Sequence, residues 1–146
     1  MINKELVAPC GLYCGLCGIH FATVSGDQKL KEKLARAYGD TPEKIHCQGC
    51  RSNDVYWYCA VCPIKSCAAE KGIEGCNRCD SFPCDKVEKF PVPEGKKNIL
   101  RAVPIWRSLG TEEFIKAEEK LFSCKACGTV AFRGARKCRQ CGALLA

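Results

Sequence analysis

Cysteine is the residue type in this chain whose number and spacing point most directly to chemistry. The 146 residues include 15 cysteines, and Cys-x2-Cys pairs recur along the whole sequence. Two thiolates so close together fit one tetrahedral metal ion from a single tight turn, whereas a disulfide between them would close a strained small ring. The pairs therefore predict metal ligands, and they lie at residues 14/17, 47/50, 59/62, 76/79, 124/127 and 138/141.

The last four cysteines have the spacing of a structural zinc ribbon. They form the pattern Cys124-x2-Cys127-x10-Cys138-x2-Cys141, and a glycine follows the second cysteine of each pair. Glycine lets the backbone turn so that its N–H groups point at the sulfurs. Four cysteines close the coordination sphere of the ion, so the site is predicted to be structural, with a short β segment between the two pairs.

The first eleven cysteines form a block that does not divide evenly into four-ligand sites. His20 follows the opening Cys10-x3-Cys14-x2-Cys17 by one helical turn and is the favoured completing ligand, although a non-ligand role remains open. His46 is the other histidine. The remaining eight cysteines are predicted to group sequentially, although crossed groupings are equally tetrahedral. The predicted metal ligands of this block are Cys10, Cys14, Cys17, His20, Cys47, Cys50, Cys59, Cys62, Cys67, Cys76, Cys79 and Cys84.

These ligand sets predict three to four zinc ions, and two alternatives stay open. An iron–sulfur cluster could occupy the N-terminal module and carry electrons, because all-cysteine sets serve clusters as well as zinc. A thiol enzyme is the other alternative, if one cysteine is left unligated and reactive. The sequence carries neither a Ser-His-Asp arrangement nor a phosphate-binding glycine loop. We therefore predict a non-catalytic zinc-binding protein that acts as a binding or adaptor module.

The formal net charge of +7 is weaker evidence for a nucleic-acid partner than it first suggests. A zinc ion held by four thiolates carries a net −2, so three such sites would lower +7 to +1. The ribbon nevertheless stays locally basic. We expect either a protein partner or a nucleic acid bound through the ribbon, whose basic residues are Lys125, Arg133, Arg136, Lys137 and Arg139.

The location of the protein is predicted from what the sequence contains. The first residues include no apolar stretch typical of a signal peptide, and the cysteine count is odd. No run approaches the roughly 20 apolar residues of a membrane helix. A cytoplasmic location without membrane association is therefore expected, and the oligomeric state is left open.

The cysteine-free stretch between the two blocks divides the chain into three parts. Residues 1–90 are predicted to form a Cys-rich metal-binding module, residues 91–122 a helical spacer that packs on it, and residues 123–146 the zinc ribbon. The expected fold class is a small metal-stabilised α+β protein. Its Cys-rich module is irregular and helical, its spacer has two helices, and the ribbon supplies the β structure.

Several helices follow from apolar spacing and capping residues. An apolar residue at every fourth position predicts an amphipathic helix over residues 27–38. In the spacer, the helix that carries Trp106 is expected to kink or end at Pro104, because proline lacks the N–H that helices need. The hydroxyl of Thr111 is expected to cap a second spacer helix, and residues 90–95 to form an extended linker.

Two stretches of the chain resemble a family signature. The motif Pro-Cys-Gly-Leu-Tyr-Cys-Gly-Leu-Cys at residues 9–17 and the motif Cys-Asn-Arg-Cys-Asp-Ser-Phe-Pro-Cys at residues 76–84 are similar to those of a cysteine-rich domain-of-unknown-function family of bacteria and archaea. The resemblance extends over about residues 5–122, and the ribbon is then an appended module. It implies a compact prokaryotic metal-binding domain and carries no enzymatic mechanism.

Overall fold

The computed structural model describes residues 2–145, and helices make up most of its regular structure. The seven α-helices in this range are α1 Gly18–Ser25, α2 Gln28–Tyr38, α3 Trp57–Ala60, α4 Pro63–Lys71, α5 Asp85–Glu88, α6 Pro93–Leu109 and α7 Thr111–Leu121. Four short 3-10 turns lie at Lys4–Leu6, Cys14–Leu16, Pro42–Lys44 and Cys76–Arg78. None of these helices is long and apolar enough to cross a membrane.

Extended backbone pairs in residues 2–145 only at isolated antiparallel bridges, so the β part of the predicted α+β class is not confirmed. The three bridges join Val7 to Tyr13, Ser123 to Val130 and Lys137 to Leu144. The last two bridges each enclose one Cys-x2-Cys turn of the ribbon. The chain reverses again within a few residues of each bridge, which leaves no length for a strand ladder.

Helix α2 confirms the helix predicted over residues 27–38. Asp27 caps it, because its Oδ1 accepts a hydrogen bond from the backbone N–H of Leu30 at 3.0 Å. Gly39 ends it in the left-handed conformation, with a φ of 68°. Leu30 and Ala35 bury the apolar face of α2 in a cluster with Ile19 of α1. These two helices form one wall of the Cys-rich module.

Helix α6 continues through Pro104, so of the two outcomes expected at this proline the end of the helix is wrong, and the kink stays a prediction. Val103 and Trp106 are fully buried on either side of the proline, and their packing offsets the one backbone hydrogen bond that proline removes. The helix also begins at Pro93, a first-turn position that suits proline. The linker predicted over residues 90–95 is correspondingly shorter.

Thr111 does not cap α7 as expected; its hydroxyl ties two parts of the chain together instead. The residue before the helix is Gly110, and the Thr111 hydroxyl accepts a hydrogen bond from the indole N–H of Trp106 at 3.0 Å. The same hydroxyl donates to Glu74 Oε1 at 2.8 Å. The ring of Trp106 stacks on Phe114 with centroids 5.9 Å apart. The turn between α6 and α7 is thereby fixed to the Cys-rich module.

The helical spacer contributes directly to the core of the Cys-rich module. Ile99 and Val103 of α6 lie in one buried cluster with Cys10 and other cysteines of the first block. Gly11 has a φ of 91° and faces the side chain of Val103, so a larger residue would meet it. The domain boundaries remain predictions, and their outer limits, residues 1 and 146, lie outside the described residues.

A buried ion pair joins the two spacer helices and generates a stability prediction. Arg101 donates to both carboxylate oxygens of Glu118, at 2.7 and 2.9 Å, and Glu118 is only 3% exposed. The change Arg101→Ala leaves this carboxylate buried without its partner and is expected to lower the free energy of unfolding by about 3 kcal/mol. Urea unfolding of the metal-loaded protein measures the change.

Two further variants serve as controls for that measurement. The double change Arg101→Met with Glu118→Leu removes both charges and should recover most of the lost stability. Lys116 makes only exposed pairs with Glu112 and Glu113, so Lys116→Ala should cost less than about 1 kcal/mol. Equal losses for Arg101→Ala and Lys116→Ala would contradict a stabilising role for the buried pair.

Candidate metal centres

The four ribbon cysteines are brought together in the geometry of one tetrahedral ion. Their Sγ atoms all lie within 4.8 Å of one another. The Cys124 and Cys141 sulfurs are 3.7 Å apart, and the Cys127 and Cys138 sulfurs are 3.6 Å apart. A tetrahedron with metal–sulfur bonds of about 2.3 Å has sulfur–sulfur edges of about 3.8 Å, whereas a disulfide would need about 2.05 Å. The sulfurs therefore fit a shared metal ion.

Both Cys-x2-Cys turns of the ribbon are built by the same two backbone hydrogen bonds. In the first turn, the Cys124 N–H donates to the Thr129 carbonyl and the Gly128 N–H donates to the Cys124 carbonyl, both at 2.8 Å. The second turn repeats the pattern around Cys138 and Gly142. Both glycines have positive φ, of 79° and 75°, which explains why glycine follows each pair.

Hydrogen bonds in the first turn favour the thiolate form that a metal requires. Cys127 Sγ lies 3.3 Å from Thr129 Oγ1, and once the thiol is ionised the hydroxyl donates to it. This hydroxyl and the Thr129 N–H lower the pKa of Cys127 to about 6. The N–H groups of Cys127 and Ala126 lower the pKa of Cys124. Cys124 is buried while Cys127 is exposed.

Arginine contacts dock the ribbon on the opening cysteine loop. The backbone N–H of Arg133 donates to the Leu16 carbonyl at 2.7 Å, and its guanidinium donates to the Tyr13 carbonyl at 2.8 Å. Tyr13 precedes the 3-10 turn that carries Cys14, and Leu16 is the last residue of that turn. The ribbon thus satisfies backbone groups of the Cys-rich module as well as its own.

A second set of contacts attaches the ribbon to α1 and α2. Phe132 packs on Phe21 with ring centroids 5.6 Å apart, and the Arg139 guanidinium lies 4.9 Å from the Phe21 centroid. Arg139 also donates to Asp27 Oδ2 at 2.6 Å. The N–H of Leu30 and the charge of Arg139 both hold the pKa of Asp27 below its usual value.

In the first block, four cysteines lie in one buried cluster, and they come from the start and the middle of the block's sequence. Cys10, Cys14, Cys50 and Cys62 are each less than 9% exposed and pack with Ile64, among other residues. The backbone N–H of Cys50 donates to Cys14 Sγ at 3.4 Å. Burial raises the pKa of Cys14 to about 12 and that of Cys10 well above its ordinary value. The fold therefore brings together residues that sequential grouping would separate.

Cys17 and Cys47 lie on the other side of this cluster, beside His20. The His20 ring places Nδ1 3.1 Å from the Cys47 carbonyl. The Gly49 N–H donates to Cys47 Sγ at 3.4 Å. Cys17 and Cys47 belong to the apolar cluster formed with α1 and α2. His46 is engaged elsewhere, because its Nε2 lies 2.6 Å from Asp54 Oδ2 on the exposed surface.

Cys59 lies between these two groups. Its thiol hydrogen-bonds to Cys50, which lowers the pKa of Cys50 to about 7. The same hydrogen bond raises the pKa of Cys59, and so do burial and the charges of Cys50, Cys47 and Cys17. Seven cysteines of the first block therefore interact as one network.

The remaining four cysteines form a third neighbourhood near α4. Burial raises the pKa of Cys76 to about 11, and the nearby thiolates of Cys79, Cys84 and Cys67 add to the increase. Lys71 donates to Cys79 Sγ at 3.3 Å. These cysteines are the set that sequential grouping predicts.

Two cationic side chains support this neighbourhood, and sequence reasoning missed both. Lys71 follows Cys67 by one turn of α4, so its position beside the thiols could have been found from helical spacing. Arg107 of α6 donates to the carbonyls of Asn77 and Cys79, both at 2.9 Å, and to the Cys76 carbonyl at 3.3 Å. No local signal in the sequence links Arg107 to this loop.

The predicted ligands fall into two classes in the structure. The four ribbon cysteines lie at ligand spacing. Within residues 2–145, no other group of three or more metal-ligating side chains has its ligand atoms within 4.8 Å of one another. The eleven other cysteines and His20 gather into neighbourhoods, and their role as ligands remains a prediction.

The contact between Thr129 and Cys127 generates a prediction about metal affinity. The change Thr129→Val keeps the side-chain shape and removes the hydroxyl, so the pKa of Cys127 should rise from about 6 toward its ordinary value. Protons then compete better with the metal, and affinity should fall about 10-fold at pH 6.5 and by less at pH 9. Competition with a chromogenic chelator measures it.

Thr41→Val is the matched control for this measurement. Thr41 precedes the Pro42–Lys44 turn and makes no side-chain capping bond there, so its loss of a hydroxyl should leave affinity unchanged. A Thr129→Val protein whose affinity matches the wild type at both pH values would show that the hydroxyl does not assist the thiolate.

Comparison with known proteins gives one match. Residues 6–89, which are more than half of the chain, match the model of a family described as proteins of unknown function, DUF3795. Neither the curated proteins nor the solved structures include a match to this chain. The matched range holds both motifs of the cysteine signature and all eleven cysteines of the first block. It stops at residue 89, so the spacer, to which the resemblance was expected to extend, and the ribbon both lie outside it. The chain is a member of the DUF3795 family of cysteine-rich proteins of unknown function.

Proposed function

We propose that this protein is a non-catalytic zinc-binding module that presents a metal-braced surface to a protein partner. The closed four-cysteine set of the ribbon carries the proposal, because sulfurs 3.6 to 3.7 Å apart leave a tetrahedral ion no open position for substrate. A tetrahedral set of four thiolates suits zinc or iron. The tight Cys-x2-Cys turns with a glycine after each pair favour zinc in a structural role.

A metal assay tests the identity of the ions. Protein purified without oxygen is analysed for zinc and iron, and its visible spectrum is recorded. We expect three to four zinc ions per chain, no colour, and loss of helical circular dichroism on chelation, because metal binding contributes to folding. Stoichiometric iron with a brown colour would establish the electron-transfer alternative instead. One fast-reacting thiol in the native protein would favour the thiol enzyme.

Contacts of the ribbon favour a protein partner over a nucleic acid. Arg133 and Arg139 are already engaged with carbonyls and with Asp27. Phe132, the one aromatic residue of the ribbon that could stack on a base, is half-buried against Phe21. A nucleic-acid interface of this kind needs free cations and exposed aromatic faces together.

An aromatic patch outside the ribbon also favours a protein partner over a nucleic acid. Trp57 is 59% exposed and Tyr38 is 50% exposed, and the buried ring of Tyr56 lies about 6 Å from each of them. We define the aromatic patch as these three residues. Tryptophan and tyrosine are enriched in protein interfaces, where they bury much area at low entropic cost. The proposed partner therefore binds at or near this patch.

A salt series tests the choice of partner. Binding of the zinc-loaded protein to a random DNA duplex is measured by fluorescence anisotropy between 50 and 200 mM salt. We expect at most weak binding with a shallow salt dependence, because two of the five ribbon cations are engaged and its one aromatic ring is half-buried. A slope that corresponds to several phosphate contacts, roughly −0.9 for each, would contradict the proposal. Lys125→Glu with Lys137→Glu is the matched variant, and loss of such binding would locate it in the ribbon.

A further inference from the structure

Spatial grouping of the first-block cysteines differs from their order along the chain. The buried cluster joins Cys10 and Cys14 from the opening loop to Cys50 and Cys62 from two later pairs. The bond from the Cys50 N–H to Cys14 Sγ links the two segments directly. Four buried thiols in one cluster supply the number and type of ligands that a tetrahedral zinc ion takes, and a bound ion would draw their sulfurs to the spacing that the ribbon set already has.

The partners of those same pairs are Cys17, Cys47 and Cys59. Cys17 and Cys47 share the apolar cluster of α1 and α2, whereas Cys59 packs against the first cluster, close enough for its thiol to interact with both of them. This leaves a set of three sulfurs, which needs one more ligand. Three cysteines with one histidine are a common structural zinc set.

His20 is positioned to supply that fourth ligand. It lies in the first turn of α1, one turn after Cys17, and its Nδ1 faces the Cys47 carbonyl at 3.1 Å. A carbonyl accepts only, so Nδ1 carries the proton and Nε2 keeps its lone pair. This is the arrangement by which a metal-bound histidine is usually oriented.

We propose that the first block holds two adjacent ions in interleaved sites, one bound by Cys10, Cys14, Cys50 and Cys62 and the other by Cys17, Cys47, Cys59 and His20. This inference rests on the proposed zinc-binding function and adds the assignment of each ligand. With the third set near α4 and the ribbon, the assignment gives four ions per chain. It also explains how eleven cysteines, a number that four does not divide, can fill three sites, because His20 supplies the twelfth ligand.

Interleaving has a mechanical consequence that sequential sites lack. Three Cys-x2-Cys pairs, at residues 14/17, 47/50 and 59/62, each divide their two sulfurs between the two ions. Neither ion can then leave without loosening every one of the three loops. Loss of one ion should therefore loosen these loops while it leaves the ligands of the other ion in place.

Double variants of the full-length protein distinguish the groupings. Cys10→Ala with Cys50→Ala removes two ligands of one proposed site, so one zinc ion per chain should be lost under dialysis against a weak chelator. Cys10→Ala with Cys17→Ala removes one ligand from each site, so two ions should be lost. Sequential sites predict the reverse: two ions lost in the first variant and one in the second. Sites that share Cys50, or that keep each Cys-x2-Cys pair intact and place Cys10 and Cys50 on different ions, predict a loss of two in the first variant. Intact pairs with Cys10, Cys47, Cys50 and His20 around one ion predict the same losses as interleaved sites in both variants. Cys47→Ala with Cys50→Ala separates these two groupings, because one ion should be lost from intact pairs and two from interleaved sites.

Substitutions of His20 provide a second measurement if the double variants do not fold. His20→Ala should lose one ion, His20→Cys should retain all four, and the matched control His46→Ala should lose none. Cobalt-loaded wild type should show a site with three sulfur ligands and one nitrogen, and His20→Cys should convert its absorption spectrum to that of four-sulfur sites. Unchanged stoichiometry in His20→Ala overturns the assignment.

The wild-type metal content separates failure of this inference from failure of the proposed function. Wild-type protein without zinc overturns both. Wild-type protein with four zinc ions, but with any other pattern of losses in the variants, overturns the interleaved assignment alone.

Discussion

Mutual repulsion of thiolates is the constraint on which this structure depends. Two unit charges about 4 Å apart repel by about 1 kcal/mol in water and by about 4 kcal/mol in surroundings of moderate polarity. Four ribbon sulfurs within 4.8 Å of one another multiply that cost over every pair. The fold must therefore keep the thiols protonated, as burial does for Cys10 and Cys14, or supply positive charge. A divalent cation does this most effectively, because it contacts all four sulfurs at once.

The rest of the chain supplies smaller positive contributions and the cover that the cysteine loops need. Arg107 crosses from α6 to the carbonyls of the loop around Asn77, and Lys71 lies against Cys79. Ile99 and Val103 close the buried cysteine cluster from outside. Helix α6 of the spacer is thus part of the core of the Cys-rich module. It supplies the apolar residues Ile99 and Val103 and the cation Arg107.

Local signals in the sequence were enough to predict the four-cysteine cluster of residues 124–141 and helix α2. Cys-x2-Cys spacing with its glycines, and the cap at Asp27, are encoded by neighbouring residues. Pro104 and Thr111 could not be read locally, because burial of Trp106 and a hydrogen bond to Glu74 decide their roles. Grouping of the first eleven cysteines is likewise a property of the tertiary fold. Identical Cys-x2-Cys spacing is compatible with every pairing.

Asp27 links the stability of helix α2 to residues outside the family domain. One carboxylate oxygen caps α2 through Leu30, and the other binds Arg139 of the ribbon. Arg133 meanwhile satisfies the carbonyl of Tyr13 beside the opening cysteines. A chain that lost its ribbon would therefore need new partners for groups inside the family domain itself. The stability of the family domain therefore depends in part on residues that lie outside the family match.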